Sequence, residues 1–278
     1  MKRIVTIQDI SCFGKCSLTI ALPVISAMGV ETCVIPTAVL STHTGGFKNF
    51  TFRDLTDDIQ PIADHWKSLD LKFDAVYTGY LGSEAQIELM EGFFDTFGGE
   101  NTLKIVDPVM GDKGKLYTGF TEKFAKRMAG LCGKADVIIP NLTESAYLLG
   151  EQYKEEGYSV DEVKAILKRL TALGCQTAVV TGVKTDGALQ GAIAYDSNTD
   201  EYFEYFANDL PVSFHGTGDI FSSVLAGALT RGETMQKALE LAVEFTVLSI
   251  KRTIGDERSH WYGVKFEECL SFLCNRAE

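Results

Sequence analysis

The chain has 278 residues, of which 45% are hydrophobic and 23% are charged, as in ordinary globular proteins. This composition excludes a disordered chain, a collagen-like chain and a coiled coil. The net charge of −12, without a cluster of Lys and Arg residues, argues against a nucleic-acid partner, because neutralising phosphates requires a basic face.

Membrane and secretion signals are also missing from the pattern. No run of about 18 apolar residues is present, so we expect no membrane span. The apolar run 16–30 follows a charged loop and not a basic start, which is unlike a secretory signal. Seven scattered cysteines then predict reduced thiols in a cytoplasmic protein. Cys12 and Cys16 stand four apart without a second pair, which gives little support for a zinc or redox site.

Strands and helices alternate along the first half of the chain. Runs rich in β-branched residues predict strands at 3–8, 32–38, 73–78, 103–106 and 137–139. Apolar or amphipathic segments predict helices at 18–28 (with Pro23 discordant), 52–68, 84–97 after the cap Ser83, 121–131, and a short helix capped by Thr143.

The second half of the chain continues the alternation of strands and helices. The pattern predicts helix 159–173 closed by Gly174, strand 177–181, an antiparallel pair at 191–195 and 201–206, and helices 218–230, 235–251 and 266–276. Such alternation is typical of parallel βαβ units with helices on both sheet faces. We therefore predict one α/β domain over residues 1–278, built as a three-layer αβα sandwich.

Ligands of such sheets bind beyond the carboxyl ends of the strands. The residues that follow the predicted strands are polar or small: Asp9, Thr42 to Gly46, Thr78-Gly79-Tyr80, Asp107, Asn141 with Glu144, and Thr181-Gly182. We expect them to gather at one edge of the sheet.

The sharpest segment is Phe-His-Gly-Thr-Gly-Asp-Ile-Phe at 214–221, which leads into an apolar helix. Gly216 and Gly218 flank Thr217 and allow successive N–H groups to point one way at a positive helix N-terminus. This predicts an anion hole for a transferred phosphate, with Asp219 placed to accept the proton of an attacking hydroxyl. The alternative is a tight turn followed by an ordinary helix cap.

Two acidic segments are candidates for a divalent cation site. Asp107-Pro-Val-Met-Gly-Asp112 puts two carboxylates around a tight turn, which can face a hydrated Mg²⁺. Taken alone, it is more often a plain strand–loop turn. Asn141-Leu-Thr-Glu144 allows a metal–water contact, although a helix start with an acidic first turn is the commoner interpretation.

Other features are weaker. No Walker-type phosphate loop and no protein-kinase motif set is present. The segment 182–187 is a glycine loop more typical of a strand connection. His43 and His215 stand in Gly-rich loops suited to a pocket, Lys15 is expected to be solvated, and His260-Trp261-Tyr262 has no interpretation from sequence.

These motifs together resemble the ribokinase-like superfamily. The late Gly-Thr-Gly-Asp resembles its signature, and the segments 107–112 and 141–144 resemble its vitamin-kinase branch, above all the pyridoxal/pyridoxamine kinases. The likeness runs from Ile7-Gln8 through Ser41-Thr-His-Thr-Gly45 to Lys251-Arg-Thr-Ile254. It implies a ribokinase-like fold and ATP-dependent phosphorylation of the hydroxymethyl group of a B6 vitamer.

The resemblance also implies roles for single residues. Asp219 would be the base, and Gly216, Thr217 and Gly218 the anion hole. Asp107 and Glu144 would organise Mg²⁺ through water. The remaining implied contacts are with ATP (Asp112, Tyr117, Asn141, Thr181) and with the vitamer (Asp9, His43, Thr44, Gly45, Tyr80). Members of the family often need K⁺ and usually form homodimers.

The sequence departs from the family at two of these places. Asp9 stands where pyridoxal kinases often carry Ser, and its carboxylate could pair with a protonated ring nitrogen or amine. Ile139 stands where related kinases often have Thr near the cation site, which leaves the K⁺ requirement open. The alternatives are a hydroxymethylpyrimidine kinase of thiamine synthesis, disfavoured by the first loop Ser11-Cys-Phe-Gly-Lys15, and a non-catalytic vitamer sensor, disfavoured by Asp219 and Glu144. A sugar kinase would need a longer insertion between the first two strands.

Overall fold

The computed structural model describes residues 1–155, 157–185, 188–210, 212–254, 256 and 261–276. The strands are β1 Arg3–Ser11, β2 Glu31–Leu40, β3 Phe52–Asp54, β4 Ala75–Thr78, β5 Leu103–Val106, β6 Gly111–Asp112, β7 Lys115–Leu116, β8 Val137–Ile138, β9 Thr177–Lys184, β10 Leu189–Asp196 and β11 Glu201–Asn208. The α-helices are α1 Leu18–Ala27, α2 Thr56–Ser68, α3 Glu84–Phe97, α4 Glu122–Cys132, α5 Leu142–Leu149, α6 Val160–Thr171, α7 Thr217–Arg231, α8 Met235–Ile254 and α9 Leu270–Asn275, with a 3₁₀ turn at Phe266–Cys269 before α9.

Nine of these strands form one sheet in the order β11-β10-β9-β8-β5-β4-β1-β2-β3. The six strands from β9 to β2 run parallel, and antiparallel strands close both sides, β10 and β11 on one and β3 on the other. β6 and β7 form a separate small hairpin. The predicted α/β architecture is confirmed, and the carboxyl ends of the six parallel strands share one edge.

Helices cover both faces of the sheet. Side chains alternate along β1, so that Val5 and Ile7 join a core under α2 to α6, while Ile4 joins a second core under α1 and α7 to α9. Because both faces are covered, the central strands β1, β4 and β8 are buried almost throughout. None of the helices in the described part of the chain has the length and apolar character needed to cross a lipid bilayer.

The structure corrects the prediction for Phe52, Arg53 and Asp54. These residues do not begin a helix; they form β3, which pairs antiparallel with the end of β2. Tertiary pairing with β2 supplies backbone partners that the local sequence does not reveal. The helix begins at Thr56, whose N–H donates to the Asp54 carboxylate at 2.7 Å.

Other predicted elements differ only in length. β1 and β2 extend beyond the predicted bounds, and β9 continues through Gly182 to Lys184. Ser83 caps α3 as predicted, whereas Ser159, predicted as the first residue of its helix, is the cap of α6. Pro23 lies inside α1, as predicted, with its neighbours Val24 and Ile25 fully buried.

Candidate functional site

Asp107 occupies the centre of the sheet edge, directly after β5. Its backbone N–H donates to the carbonyl of Thr78 at 2.9 Å, which ties the ends of β5 and β4 together. The side chain is only 6% exposed, and the hydroxyl of Ser222 on α7 lies close enough to favour its charged form. Burial, followed by the negative charges of Glu144 and Asp219, raises the pKa of Asp107 well above its usual value. The site thus brings three carboxyl groups close enough to repel one another.

Glu144 is held at the start of α5 by backbone N–H groups. One carboxylate oxygen accepts from Asn141 at 2.9 Å, and the other accepts from Met110 at 3.1 Å and Gly111 at 3.5 Å. The Asn141 side chain accepts in return from the N–H of Glu144 at 2.9 Å, which completes a capping box. Burial raises the pKa of Glu144, and the three N–H groups oppose that shift.

The cap of α5 is therefore Asn141, and the prediction that Thr143 caps this helix is wrong. The Thr143 hydroxyl instead accepts from the N–H of Gly114 at 2.9 Å. The Asn141 amide donates to the carbonyl of Gly111 at 2.8 Å. The two side chains together fasten the β6–β7 hairpin to α5, a contact between segments about thirty residues apart that helix-capping rules do not reveal.

The predicted anion hole lies at the N-terminus of α7. Gly216 has φ 80° and its α-carbon packs on the carbonyl of Lys15, so that a Cβ there would lie 2.1 Å from that oxygen. Only glycine fits this position. Beside Gly218 no heavy atom lies within 4 Å of the place a Cβ would take, and the residue is exposed. The first N–H groups of this 15-residue helix have no acceptor within the helix, and open space lies beside Gly218, as an anion site requires.

Asp219 lies in the first turn of α7, half-buried beside this space. Burial raises its pKa to about 7, and the negative charge of Asp9 adds to the shift, while the backbone N–H of Ser17 opposes it. A carboxyl group with a pKa near neutrality both accepts and releases a proton readily, which suits a general base.

These carboxylates are suited to a divalent cation only with the help of water. In the described ranges no three His, Cys, Asp or Glu side chains converge so as to hold a metal ion. Both oxygens of Glu144 are already occupied by N–H groups. Mg²⁺ tolerates such a site because it keeps several waters and takes few carboxylate ligands. Asp107 and Glu144 therefore fit a hydrated Mg²⁺.

The β6–β7 hairpin carries Asp112 and leads into Tyr117. The Tyr117 N–H donates to the carbonyl of Met110 at 2.9 Å, and its side chain is 44% exposed. Burial of its hydroxyl end and the charges of Glu144 and Asp112 raise the pKa of Tyr117. The hairpin thus lies near the carboxylate group.

Asn141 and Thr181 stand side by side, since the ends of β8 and β9 pair there and the Thr181 N–H donates to the carbonyl of Pro140 at 3.1 Å. The side chain of Thr181 is half-buried. This pair continues the polar edge away from Asp107.

Asp9 and His43 form the other side of the cleft. Asp9 is 6% exposed and accepts from the Ser11 hydroxyl at 3.1 Å; burial raises its pKa. His43 is buried, and its Nδ1 accepts from the N–H of Gly45 at 3.1 Å. Its Nε2 must then carry the proton that it donates to the carbonyl of Tyr262 at 2.9 Å. Burial lowers the pKa of His43.

Both nitrogens of His43 are therefore occupied, which leaves the ring to act as a wall of the cleft. The His215 ring lies 5.0 Å from that of His43 and packs on Gly45, where a Cβ would lie 2.4 Å from the ring. Thr44 is exposed beside them. Tyr80 follows β4; burial and the charge of Asp9 raise its pKa to about 12, so its hydroxyl stays protonated as a donor.

Sequence reasoning missed several residues of this cleft. Ser222 could be predicted from the sequence, because it stands one helical turn after Asp219 and so shares its face of α7. No sequence pattern predicts the contact among the rings of Phe13, Phe47 and Tyr262, because only tertiary folding brings them together. His260 lies outside the described residues. Lys15 is not solvated as expected, but pairs with Glu267 at 2.7 Å.

The seven cysteines are predicted to be reduced thiols. All seven belong to the described part of the chain, and none of them is in a disulfide. Cys12 is exposed, whereas burial and the charges of Asp219 and Asp9 raise the pKa of the Cys16 thiol. A raised pKa disfavours the thiolate that metal binding and redox chemistry require.

Comparisons with known proteins agree with this geometry. The family profile "Phosphomethylpyrimidine kinase" matches residues 20–262. A Bacteroides thetaiotaomicron protein, provisionally assigned as a phosphomethylpyrimidine kinase and crystallised with pyridoxal, is 40% identical with a TM-score of 0.92, covering 98% of this chain and 95% of that one. Lactobacillus plantarum pyridoxal kinase is 32% identical with a TM-score of 0.91, covering 99% and 98%. Bacillus subtilis pyridoxine kinase is 34% identical over 188 residues, which span 65% of each chain.

Proposed function

Because this chain belongs to the phosphomethylpyrimidine kinase family, we propose that it transfers the γ-phosphoryl group of ATP to the 5′-hydroxymethyl group of a B6 vitamer: pyridoxal, pyridoxamine or pyridoxine. The reaction is that of a phosphotransferase with an alcohol as acceptor, carried out by one kinase domain over residues 1–278. The observation that carries the proposal is the meeting of Asp219, the open N-terminus of α7 and Asp107 at one edge of the sheet.

Asp219 acts as the base. The pKa of an alcohol lies far above 7, so Asp219 does not hold a pre-formed alkoxide and takes the proton late, as bonding to phosphorus develops. The N–H groups of Gly216, Thr217 and Gly218 stabilise the charge on the transferred phosphoryl oxygens. The pKa of about 7 supports this assignment, because a much lower value would leave too weak a base.

Asp107 and Glu144 hold Mg²⁺ through water in this proposal. When bound, Mg²⁺ supplies positive charge against the phosphate oxygens. Glu144 also keeps the β6–β7 hairpin in register, with Asp112 and Tyr117 facing ATP. Asn141 and Thr181 lie along the phosphates. The requirement for K⁺ is decided by running the assay in K⁺ and in Na⁺.

The acceptor ring lies against Asp9, Thr44, Gly45 and Tyr80. Asp9, buried and acidic, pairs with a protonated ring nitrogen or amine, and the Tyr80 hydroxyl serves as a donor. His43 shapes the pocket through its ring face, because its two nitrogens are occupied by Gly45 and Tyr262.

The experiment is ADP release with pyridoxal, pyridoxamine, pyridoxine, hydroxymethylpyrimidine and ribose. We expect turnover with at least one B6 vitamer at the highest kcat/KM. A preference for hydroxymethylpyrimidine would favour a thiamine-pathway kinase, which the family's description supports. Turnover with none of the five would favour a non-catalytic vitamer sensor.

We also propose that the protein is a cytoplasmic homodimer. The seven cysteines, none of which is in a disulfide, are consistent with this compartment, and the family resemblance supports the dimer. Sedimentation velocity at micromolar concentration checks the dimer, and a monomeric mass would contradict it.

A further inference from the structure

The residues Trp261, Tyr262 and Gly263, near the C-terminus, lie across the acceptor side of the cleft. The Trp261 ring is centred 4.6 Å from that of Phe47, and the Tyr262 ring 4.8 Å from that of Phe13. Phe13 and Phe47 lie 5.9 Å apart, edge to face. These four rings, here called the aromatic cluster, join three segments that are remote in sequence.

Core packing fixes the position of this segment. Val264 and Phe266 directly follow it and are buried in the core under α1 and α7. Gly263 packs on the Lys15 side chain, where a Cβ would lie 2.6 Å from the Lys15 Cβ. The Lys15 ammonium then pairs with Glu267 at 2.7 Å. The segment is thereby tied to the loop that also supports Gly216.

The same segment determines the state of His43. The carbonyl of Tyr262 accepts the Nε2–H of His43 and so fixes which nitrogen carries the proton, while burial and the Gly45 N–H that donates to Nδ1 favour the neutral ring. Gly14 packs on the other side of the ring, where a Cβ would lie 2.2 Å from it. His43 therefore forms one rigid surface with the aromatic cluster.

Two members of the cluster keep large exposed faces. Trp261 is 51% exposed and Phe13 is 50% exposed, and the cluster adjoins His43, whose ring lies 4.9 Å from that of Phe47 and which interacts with the charge of Asp9. Large apolar side chains exposed next to a polar cleft are typical of a ligand-binding surface. A flat heteroaromatic ring complements such faces, because ring–ring stacking removes apolar area from water without requiring hydrogen-bond partners.

We propose that the aromatic cluster is the wall on which the heteroaromatic ring of the acceptor stacks, with Trp261 as a specificity-determining residue that favours flat aromatic alcohols over sugars. This inference rests on the proposed kinase function, since it concerns the acceptor of the same site. Trp261 acts on acceptor binding and takes no part in the chemical step.

The first test is kinetic. Stacking of a ring on an aromatic side chain is worth about 1–3 kcal/mol, so Trp261→Ala should raise the KM for pyridoxine roughly 5- to 150-fold, with the KM for ATP unchanged and kcat within about twofold. Trp261→Phe should restore most of the affinity. The control Leu69→Ala removes another exposed apolar side chain, 55% exposed beyond α2, and should change neither constant. An unchanged KM for pyridoxine in Trp261→Ala overturns the proposal.

The second test measures binding without catalysis. The chain has two tryptophans, and the other, Trp66, packs on Phe73 at the amino end of β4. In Trp66→Phe, pyridoxine should shift the emission maximum of Trp261 to shorter wavelength. In Trp261→Phe, the emission maximum of Trp66 should stay in place. The wavelength is used because energy transfer to the vitamer can lower the intensity of either residue.

The two tests separate this inference from the proposed function. If the unsubstituted protein phosphorylates vitamers but pyridoxine causes no emission shift in Trp66→Phe, stacking on the aromatic cluster is contradicted. The proposed kinase activity is then unaffected. A clear emission shift without turnover of any vitamer would support stacking on the aromatic cluster and contradict the proposed kinase activity. The absence of both would contradict both.

Discussion

Asp219 owes its reactivity to its surroundings. An aspartate in water has a pKa of about 4 and is a weak base, whereas burial and the charge of Asp9 raise the pKa of Asp219 to about 7. The sequence predicted the position of this residue in the first turn of α7, because Gly-Thr-Gly before an apolar helix is a local pattern. Its pKa depends on Asp9, more than two hundred residues away, and so could not be predicted from the sequence.

The first prediction concerns turnover. Asp219→Asn removes the base and should lower kcat by about 10²- to 10⁴-fold, while ATP affinity, measured by calorimetry, stays within about threefold. The control Asp95→Asn, at an exposed carboxylate on α3, should change neither. Normal turnover in Asp219→Asn would remove this residue from the mechanism.

The same substitution predicts a change in stability with pH. A carboxyl group whose pKa is raised on folding binds its proton more tightly in the folded state, so ionisation destabilises the fold as the pH rises from about 4 towards 7, and the loss is complete above 7. Asn cannot ionise, so the Tm gain of Asp219→Asn over the unsubstituted protein should be larger at about pH 8 than at about pH 6. Thermal unfolding checks this, and a gain that shrinks with pH would show that the carboxylate is stabilised on folding.

At the scale of elements, helix N-termini build most of this site. α5 and α6 both begin with a capping box, but Glu144 is 4% exposed and holds the β6–β7 hairpin, whereas Glu162 of α6 is exposed. The sequence identified the acidic first turn of α5 and named the wrong cap, because the choice between Asn141 and Thr143 depends on which hydrogen bond the distant hairpin takes.

This pair of capping boxes supplies a matched comparison. Glu144→Ala leaves three N–H groups near the hairpin without their acceptor and should lower the free energy of unfolding by about 2–4 kcal/mol. Glu162→Ala leaves its partners exposed to water, so it should lower the free energy of unfolding by about 1 kcal/mol or less. Urea unfolding checks both variants, and equal losses would show that the hairpin contacts contribute nothing to stability.

The glycines at the start of α7, Gly216 at its cap and Gly218 in its first turn, make a second pair. Gly216→Ala places a methyl group against the carbonyl of Lys15 at a positive φ, so both Tm and kcat should fall. Gly218→Ala meets no neighbour within 4 Å, so Tm should hold, while the methyl group enters the anion hole and kcat falls at least about tenfold. Full activity in Gly218→Ala would place the phosphate elsewhere.

At the scale of the whole molecule, two cores on opposite sheet faces hold the site edge in place. α8 shows the division between core and surface, because Leu239 is fully buried and Leu248 is 36% exposed. Leu239→Ala should lower the free energy of unfolding by about 2–5 kcal/mol, and Leu248→Ala by clearly less. Denaturant titration of both variants checks this, and similar losses would mean that the outer face of α8 is covered in solution.

The sequence by itself determined the alternation of strands and helices, the cap Ser83, and the start of a helix at the Gly-Thr-Gly-Asp motif of Gly216 to Asp219, because each depends on residues within a few positions of one another. Only the tertiary structure decided that Phe52 to Asp54 pair as a strand, that the Tyr262 carbonyl fixes the tautomer of His43, and that Trp261 reaches Phe47. The physical reason is range: hydrophobic periodicity and capping are local interactions, whereas burial, pKa and ring contacts arise between segments that only the folded sheet and its two helical layers bring together.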